Sequence, residues 1–265
     1  MLSAFARMLK IESVKGTIDG KSIYVSTQDN WGLRKVYLRK SYDVRSIEKL
    51  KNILTSDKNF VFWDLGANYG TFTLLLSPYA DTTIAVEPSK RTFRHLAMSC
   101  AELTDKVILE NCAASDRIGD GLLYLASGHS GDNRIYRPEK EDRRPTEPLK
   151  FKTVDRIAAE NFAELPKNNL MKIDVQGSEC QALAGAKQLI QGSSKIYVLM
   201  EVWPKGLREA GDSLDELVRV CGFLDLTPID DSYQEYTWDQ LISRLNNQEA
   251  EWRDVLLTNK AGCLV

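Results

Sequence analysis

FVFWDLGANYG, residues 60–70, decides how this chain is read. Its first half is a β-rich apolar run with no polar alternation, the pattern of a strand covered on both faces in a parallel sheet. Asp64 and a turn with glycines at 66 and 70 stop the run, and TFTLLL follows with the apolar content of a helix. Gly66 and Gly70 remove side chains where a tight strand-to-helix turn approaches a ligand. Backbone N–H groups at the helix start can then receive a carboxylate or a phosphate.

Working outward, four more runs repeat the pattern: TTIAVEP (82–88), KVILENCA (106–113), LMKIDVQG (170–177) and IYVLMEVW (196–203). Amphipathic stretches lie between them. Ser89 precedes a helix with Phe93, Leu96, Ala97 and Cys100 on one face, which leaves His95 on the polar side as a surface residue. Residues 178–191 read as one helix ended by Gly192, and Ser213 with Glu216 forms a capping box ahead of Leu214, Leu217, Val218 and Cys221. Strands alternating with helices predict an α/β fold with helices on both faces of a parallel sheet. GLLYLAS (121–127) predicts an extra strand, and the charged, proline-punctuated stretch 137–150 a solvated loop.

Composition sets the bounds. The 265 residues are 43% apolar and 27% charged with a net charge of −2, ordinary globular values that point away from a nucleic-acid partner. Cysteines at 100, 112, 180, 221 and 263 form no CxxC pair, so reduced thiols in a cytoplasmic protein are expected, with no disulfide framework or zinc ribbon. No apolar run is long enough to span a bilayer, and MLSAFARMLK is too short an apolar block for a secretion signal. It reads as a small amphipathic helix packed on the body of the protein. Residues 11–58 contain a strand in SIYVS, another around VYLRK and a helix in VRSIEKLKNIL, so 1–58 is expected as an N-terminal extension and 59–265 as the main domain. A homo-oligomer is compatible with all of this.

In an open parallel sheet, ligands bind beyond the carboxyl ends of the strands. Here Asp64, Glu87, Asp174 and Glu201 stand where the apolar runs stop. An acid ending the second strand can accept from both hydroxyls of a ribose, and with the glycine turn it indicates an adenosine-containing ligand. Asp64 and Asn68 suit a zwitterionic amino-acid end better than a pyrophosphate.

With these residues in place, the chain resembles the FkbM-type S-adenosylmethionine-dependent methyltransferases. VFWDLGANYG, AVEPS, ILENCAASD, SGDNR, TVDRI, LMKIDVQGSE and VLMEVW occur in that family's order. The resemblance implies a Rossmann-like class I methyltransferase fold, with a mostly parallel seven-stranded sheet and S-adenosyl-L-methionine as cofactor. It further implies O-methylation of a hydroxyl on a saccharide or small secondary metabolite. By position, Asp64, Gly66, Ala67, Asn68 and Gly70 would cradle the methionyl part and Glu87 the ribose. Ala113, Ser115 and Asp116 would lie along the adenine, and Asp174 near the amino group and sulfonium. Gln176 departs from the glutamate common in the family's DVEG.

Methyl transfer to an alcohol needs alignment, a dry pocket and a base. Lys172 and Asp174 share a strand face, Glu201 ends the next strand, and His129 lies in the polar, glycine-rich SGHSGDNR; each is a candidate. Asn133, Arg134 and Trp203 are candidates for holding the acceptor. Glu179 reads as a helix N-terminal charge. Asp174, Glu179 and Glu201 lack tight metal-ligand spacing, so no metal is expected. Two competing readings stand beside this one: a noncatalytic binding protein of the same fold, and a nicotinamide oxidoreductase carrying Tyr136-x-x-x-Lys140, which Pro138 disfavours as a helical motif.

Overall fold

The computed structural model describes residues 11–34, 36, 43–138, 143–246 and 252–259. The amphipathic helix expected before residue 11, and the strand expected around VYLRK apart from Val36, lie outside the described residues.

The chain opens with an antiparallel hairpin, β1 (Ser13–Ile18) and β2 (Lys21–Ser26), then a short helix α1 (Asn30–Arg34) and α2 (Val44–Ser56). Next come β3 (Phe60–Leu65), α3 (Thr71–Leu76), β4 (Thr82–Val86), α4 (Lys90–Ser99) and β5 (Val107–Glu110). A small three-stranded sheet follows, formed by β6 (Ala113–Ala114), β7 (Gly119–Tyr124) and β8 (Thr146–Lys152). The remaining elements are α5 (Val154–Asn161), β9 (Asn168–Ile173), α6 (Glu179–Ala184), α7 (Lys187–Gly192), β10 (Lys195–Val202), α8 (Pro204–Ala210), α9 (Leu214–Phe223), β11 (Thr227–Ile229), α10 (Trp238–Asn246) and β12 (Arg253–Thr258).

The main sheet has seven strands in the order β11-β12-β10-β9-β3-β4-β5, and only β12 runs against its neighbours. All six residues of β3 are buried, because both faces are covered. Val61, Trp63 and Leu65 pack with Val154, Leu183 and Leu217 of α5, α6 and α9 on one face. Phe60 and Phe62 pack with Leu50, Ile53 and Phe72 of α2 and α3 on the other. The N-terminal hairpin shares its apolar side chains with the sheet's helices, since Ile18, Ile23 and Val25 pack with Leu74 and Leu96. Strand order reverses at β3, with β4 on one side and β9 on the other, so a crevice opens where those strands end.

Three expectations change. The stretch 137–150 is not all loop: β8 begins at Thr146 and pairs antiparallel with β7, because Leu149 and Phe151 alternate with exposed residues and fill a small core with Leu123. Residues 178–191 form two helices, not one, and the second starts where the Asp155 carboxylate accepts the N–H groups of Gln188 and Leu189. His95 is 3% exposed rather than a surface residue; the hairpin covers its face of α4, Ser13 Oγ lies 2.8 Å from Nε2, and Arg91 O lies 2.7 Å from Nδ1. Cys100, Cys112, Cys180 and Cys221 are buried and unpaired. Among the described residues no helix is long and apolar enough to cross a membrane.

Candidate active site

The turn after β3 and the turn after β9 meet at the sheet's reversal point. Gly66 holds φ +81°, and a Cβ there would stand 2.0 Å from the carbonyl oxygen of Asp174. Glycine is therefore the residue that lets the two strand ends close side by side. Gly66 N and Ala67 N both donate to Val86 O, which ties the turn to β4 as well.

Two connected spaces surround this point. A small cavity of ≈ 60 Å³ is walled by Gly66, Asn68, Val86, Glu87, Ala113, Ala114, Leu123, Asn133, Ile135 and Asp174, among others. A larger cleft of ≈ 880 Å³ shares Gly66, Asn68, Asp174 and Gln176 with it. The cleft also takes in Ala67, Trp31, His129, Arg134, Lys172, Glu201, Trp203, Trp252 and Asp254.

Glu87 sits at the seam. Its two carboxylate oxygens accept from Asn68 N at 3.0 Å and Ser89 N at 2.9 Å, and burial pushes its carboxyl up to about 8. A carboxylate offers about four acceptor positions, so two remain for a diol. Asp64 behaves differently from expectation. Its side chain turns back onto α3, where Oδ2 accepts from Thr73 N and Thr73 Oγ1, and it lines neither space. Gly70 also stands back, packed against Leu96 of α4. Ser115 and Asp116 pair with each other at 3.1 Å away from the cavity, because Ser115 is fully buried beneath the turn. Of the expected adenine side, Ala113 alone is on the wall.

A row of acids crosses the strand ends on one sheet face. Asp64 is register partner to Lys172, and Glu201 to Asp254. Lys172 Nζ lies 3.3 Å from Asp174 Oδ2 and 3.9 Å from Asp64 Oδ1. Gln176 keeps a hydrogen-bonding role despite its departure from glutamate, since Nε2 donates to Asp174 Oδ1 at 2.8 Å and Glu201 Oε1 at 3.2 Å. Burial, then the charges of Asp174 and Glu179, push Glu201 up to about 9. Burial raises Asp254 to about 6 as well. Glu179 is a buried turn former rather than a solvated helix charge: Oε1 accepts from Val175 N and Gly177 N.

The cleft's outer wall is aromatic. His129 stacks on Trp31 with ring centroids 5.1 Å apart, and Arg134 covers Trp203 at 4.7 Å. Arg134 is committed to ion pairs with Asp132 and Glu209. Asp29, wholly buried, accepts from Gly32 N, Tyr69 Oη and Ser130 N, and so binds the N-terminal segment to both ligand-side loops. Sequence reasoning missed Asp29, Trp31, Trp252 and Asp254. The Tyr136 hydroxyl donates to Gln176 O, which uses it as a brace for the β9 turn. Among the described residues no group of three or more His, Cys, Asp or Glu is placed to hold a metal ion.

The residues present fit an S-adenosyl ligand. Glu87 retains two acceptor positions, the small cavity sets Val86, Ala113, Leu123 and Ile135 beside the polar Asn68 and Asn133, and the cleft beyond it is acidic enough for a sulfonium.

The family description "Methyltransferase FkbM domain" matches residues 64–224. The chain is 25% identical over 179 residues to hexuronic acid methyltransferase AglP of Haloferax volcanii, covering 67% of each chain. Among solved structures, M. jannaschii TYW2 in complex with AdoMet aligns at 12% identity and TM-score 0.46, covering 93% of this chain and 85% of that one. A Streptococcus mutans protein described as a putative methyltransferase, in complex with SAH, aligns at 14% identity and TM-score 0.44, covering 80% and 96%.

Proposed function

The chain belongs to the FkbM methyltransferase family and uses S-adenosylmethionine, and on that footing we propose that it is an O-methyltransferase acting on a hydroxyl of a saccharide. The observation that carries this reading is the cleft itself. Acids on adjacent strand ends lie at its floor, and the indoles of Trp31, Trp203 and Trp252 line it. Trp31 stacks on His129 and Trp203 lies under Arg134, so the Trp252 indole, 60% exposed, offers the aromatic face that suits the apolar face of a sugar ring. Similarity to a hexuronic acid methyltransferase supports the same acceptor class.

When bound, the cofactor supplies an electrophilic methyl group on a sulfonium. Glu87 holds the ribose hydroxyls, while the Gly66–Asn68 turn and Asp174 hold the amino-acid end. Glu201 is the base. With the cofactor bound as methyl donor, the Glu201 carboxylate would take the acceptor's hydroxyl proton and later return it to water. Lys172 and Gln176 position Asp174 and Glu201 from the floor of the cleft. His129 and Arg134 shape the acceptor wall.

The test is incubation with S-adenosylmethionine and a panel of neutral and uronic-acid saccharides, read by mass and alkaline treatment. An alkali-stable methyl ether is expected. An alkali-labile ester would move the acceptor from hydroxyl to carboxylate, and methylated lipid or protein in place of sugar would refute the class.

A further inference from the structure

Asn133 was expected beside the acceptor, yet it lines the small cavity, and the acceptor cleft does not include it. Its neighbours there are Val86, Ala113, Ala114, Leu123 and Ile135, with Glu87 on the same wall. The amide is oriented by the protein: Oδ1 accepts from Ala126 N at 2.9 Å, so Nδ2 is the opposite atom. Nδ2 is buried and has no hydrogen-bond partner. The segment is held firmly, because Arg134 and Tyr124 exchange both backbone hydrogen bonds, at 2.8 and 3.1 Å. A buried amide donor left unpaired is destabilising, and a ligand acceptor removes that cost.

We propose that Asn133 is a cofactor-specificity residue whose Nδ2 donates to a ring nitrogen of the adenine, in the slot between the ribose acid Glu87 and the small sheet. Adenine presents acceptors at N1, N3 and N7, and its flat face matches aliphatic walls. Because Oδ1 is turned to Ala126 N, the Asn133 atom left for the base is the Nδ2 donor. The proposal rests on the small cavity taking the adenosyl part of the cofactor.

The experiment is calorimetric binding of S-adenosylhomocysteine and of 5′-methylthioadenosine, which lacks the amino-acid end, to the full chain. Asn133→Asp keeps the acceptor for Ala126 N and nearly the same volume while replacing the donor by an oxygen. Asn133→Ala removes the donor without adding charge, and thermal melting checks that each variant is folded. Both variants should weaken both ligands by about tenfold or more, and by the same factor for each. Affinities within twofold of the parent protein in a folded variant overturn the proposal. So does a loss for S-adenosylhomocysteine that 5′-methylthioadenosine does not share, since that places the contact at the amino-acid end. If the parent protein binds neither ligand, the placement of the cofactor itself fails.

Discussion

Replacing Glu87 by alanine removes the proposed acceptor for the ribose hydroxyls. Two of its roughly four acceptor positions are filled by Asn68 N and Ser89 N, which leaves two for the ribose hydroxyls. Hydrogen bonds to a charged group contribute about 1.5–3 kcal/mol each, so a diol gains about 3–6 kcal/mol from this carboxylate. Part of that is offset. Burial pushes Glu87 up to about 8, so near neutral pH the group must give up its proton to bind as an anion, at a cost of about 1–2 kcal/mol. The net of about 2–4 kcal/mol corresponds to a loss of roughly 30- to 1,000-fold in affinity for S-adenosylhomocysteine. Titration calorimetry in two buffers of different ionisation enthalpy reads both quantities. The parent protein should release close to one proton on binding near pH 7, and Glu87→Ala should release none. An affinity within threefold of the parent, with unchanged proton release and an intact melting transition, would refute the ribose assignment.

Other outcomes follow from the same geometry. Asp29→Ala leaves the hydrogen-bond donors of Gly32, Tyr69 and Ser130 unpaired in the interior, so a loss of about 2–4 kcal/mol and a drop of roughly 5–10 °C in melting temperature are expected by calorimetry. Because Glu201 stands near 9 in the ligand-free protein, kcat/KM should climb with pH toward that value. Glu201→Gln should flatten that rise and lower kcat by about 10²- to 10⁴-fold; a pH profile unchanged in the variant would exclude it as base. Stability should fall as pH rises. Glu87 near 8, Glu179 near 7 and Glu201 near 9 all lie above the unfolded value of about 4.3, so the folded chain binds more protons across that window and loses stability as pH climbs through it. Melting at pH 6 should exceed that at pH 9, and the opposite order would contradict the burial of these acids.

The parts of the site that were legible in the sequence are those where one strand's end declares itself. The apolar runs of β3, β4, β9 and β10 each stop at an acid, and parallel pairing brings those stops to one edge. Asp254 was not legible because it lies at the start of an antiparallel strand near the end of the described chain, and only its register with Glu201 brings it to the cleft. Trp31 gains its place by stacking on His129 across a long sequence separation, which no local pattern records. His95 misled for a related reason: helical spacing identifies the face away from the sheet, but a hairpin from the N-terminal extension covers that face. Ser115 and Asp116 were expected beside Ala113 by position alone, yet Ala113 and Ala114 pair with β8 and Ser115 N donates to Lys152 O, which carries both residues off the wall. Asn133 stood in a polar loop beside Arg134, and alternation about the bridge to Tyr124 sends the two neighbours to different spaces.

The proposed chemistry requires the transferred methyl group to face the acid row on β9, β10 and β12. A crystal structure of the full chain with S-adenosylhomocysteine tests it most directly. The ribose should lie on Glu87, the base against Asn133, and the sulfur should open toward the cleft floor of Lys172, Asp174 and Glu201. A sulfur turned away from that floor, or a ribose lodged elsewhere than Glu87, would contradict it.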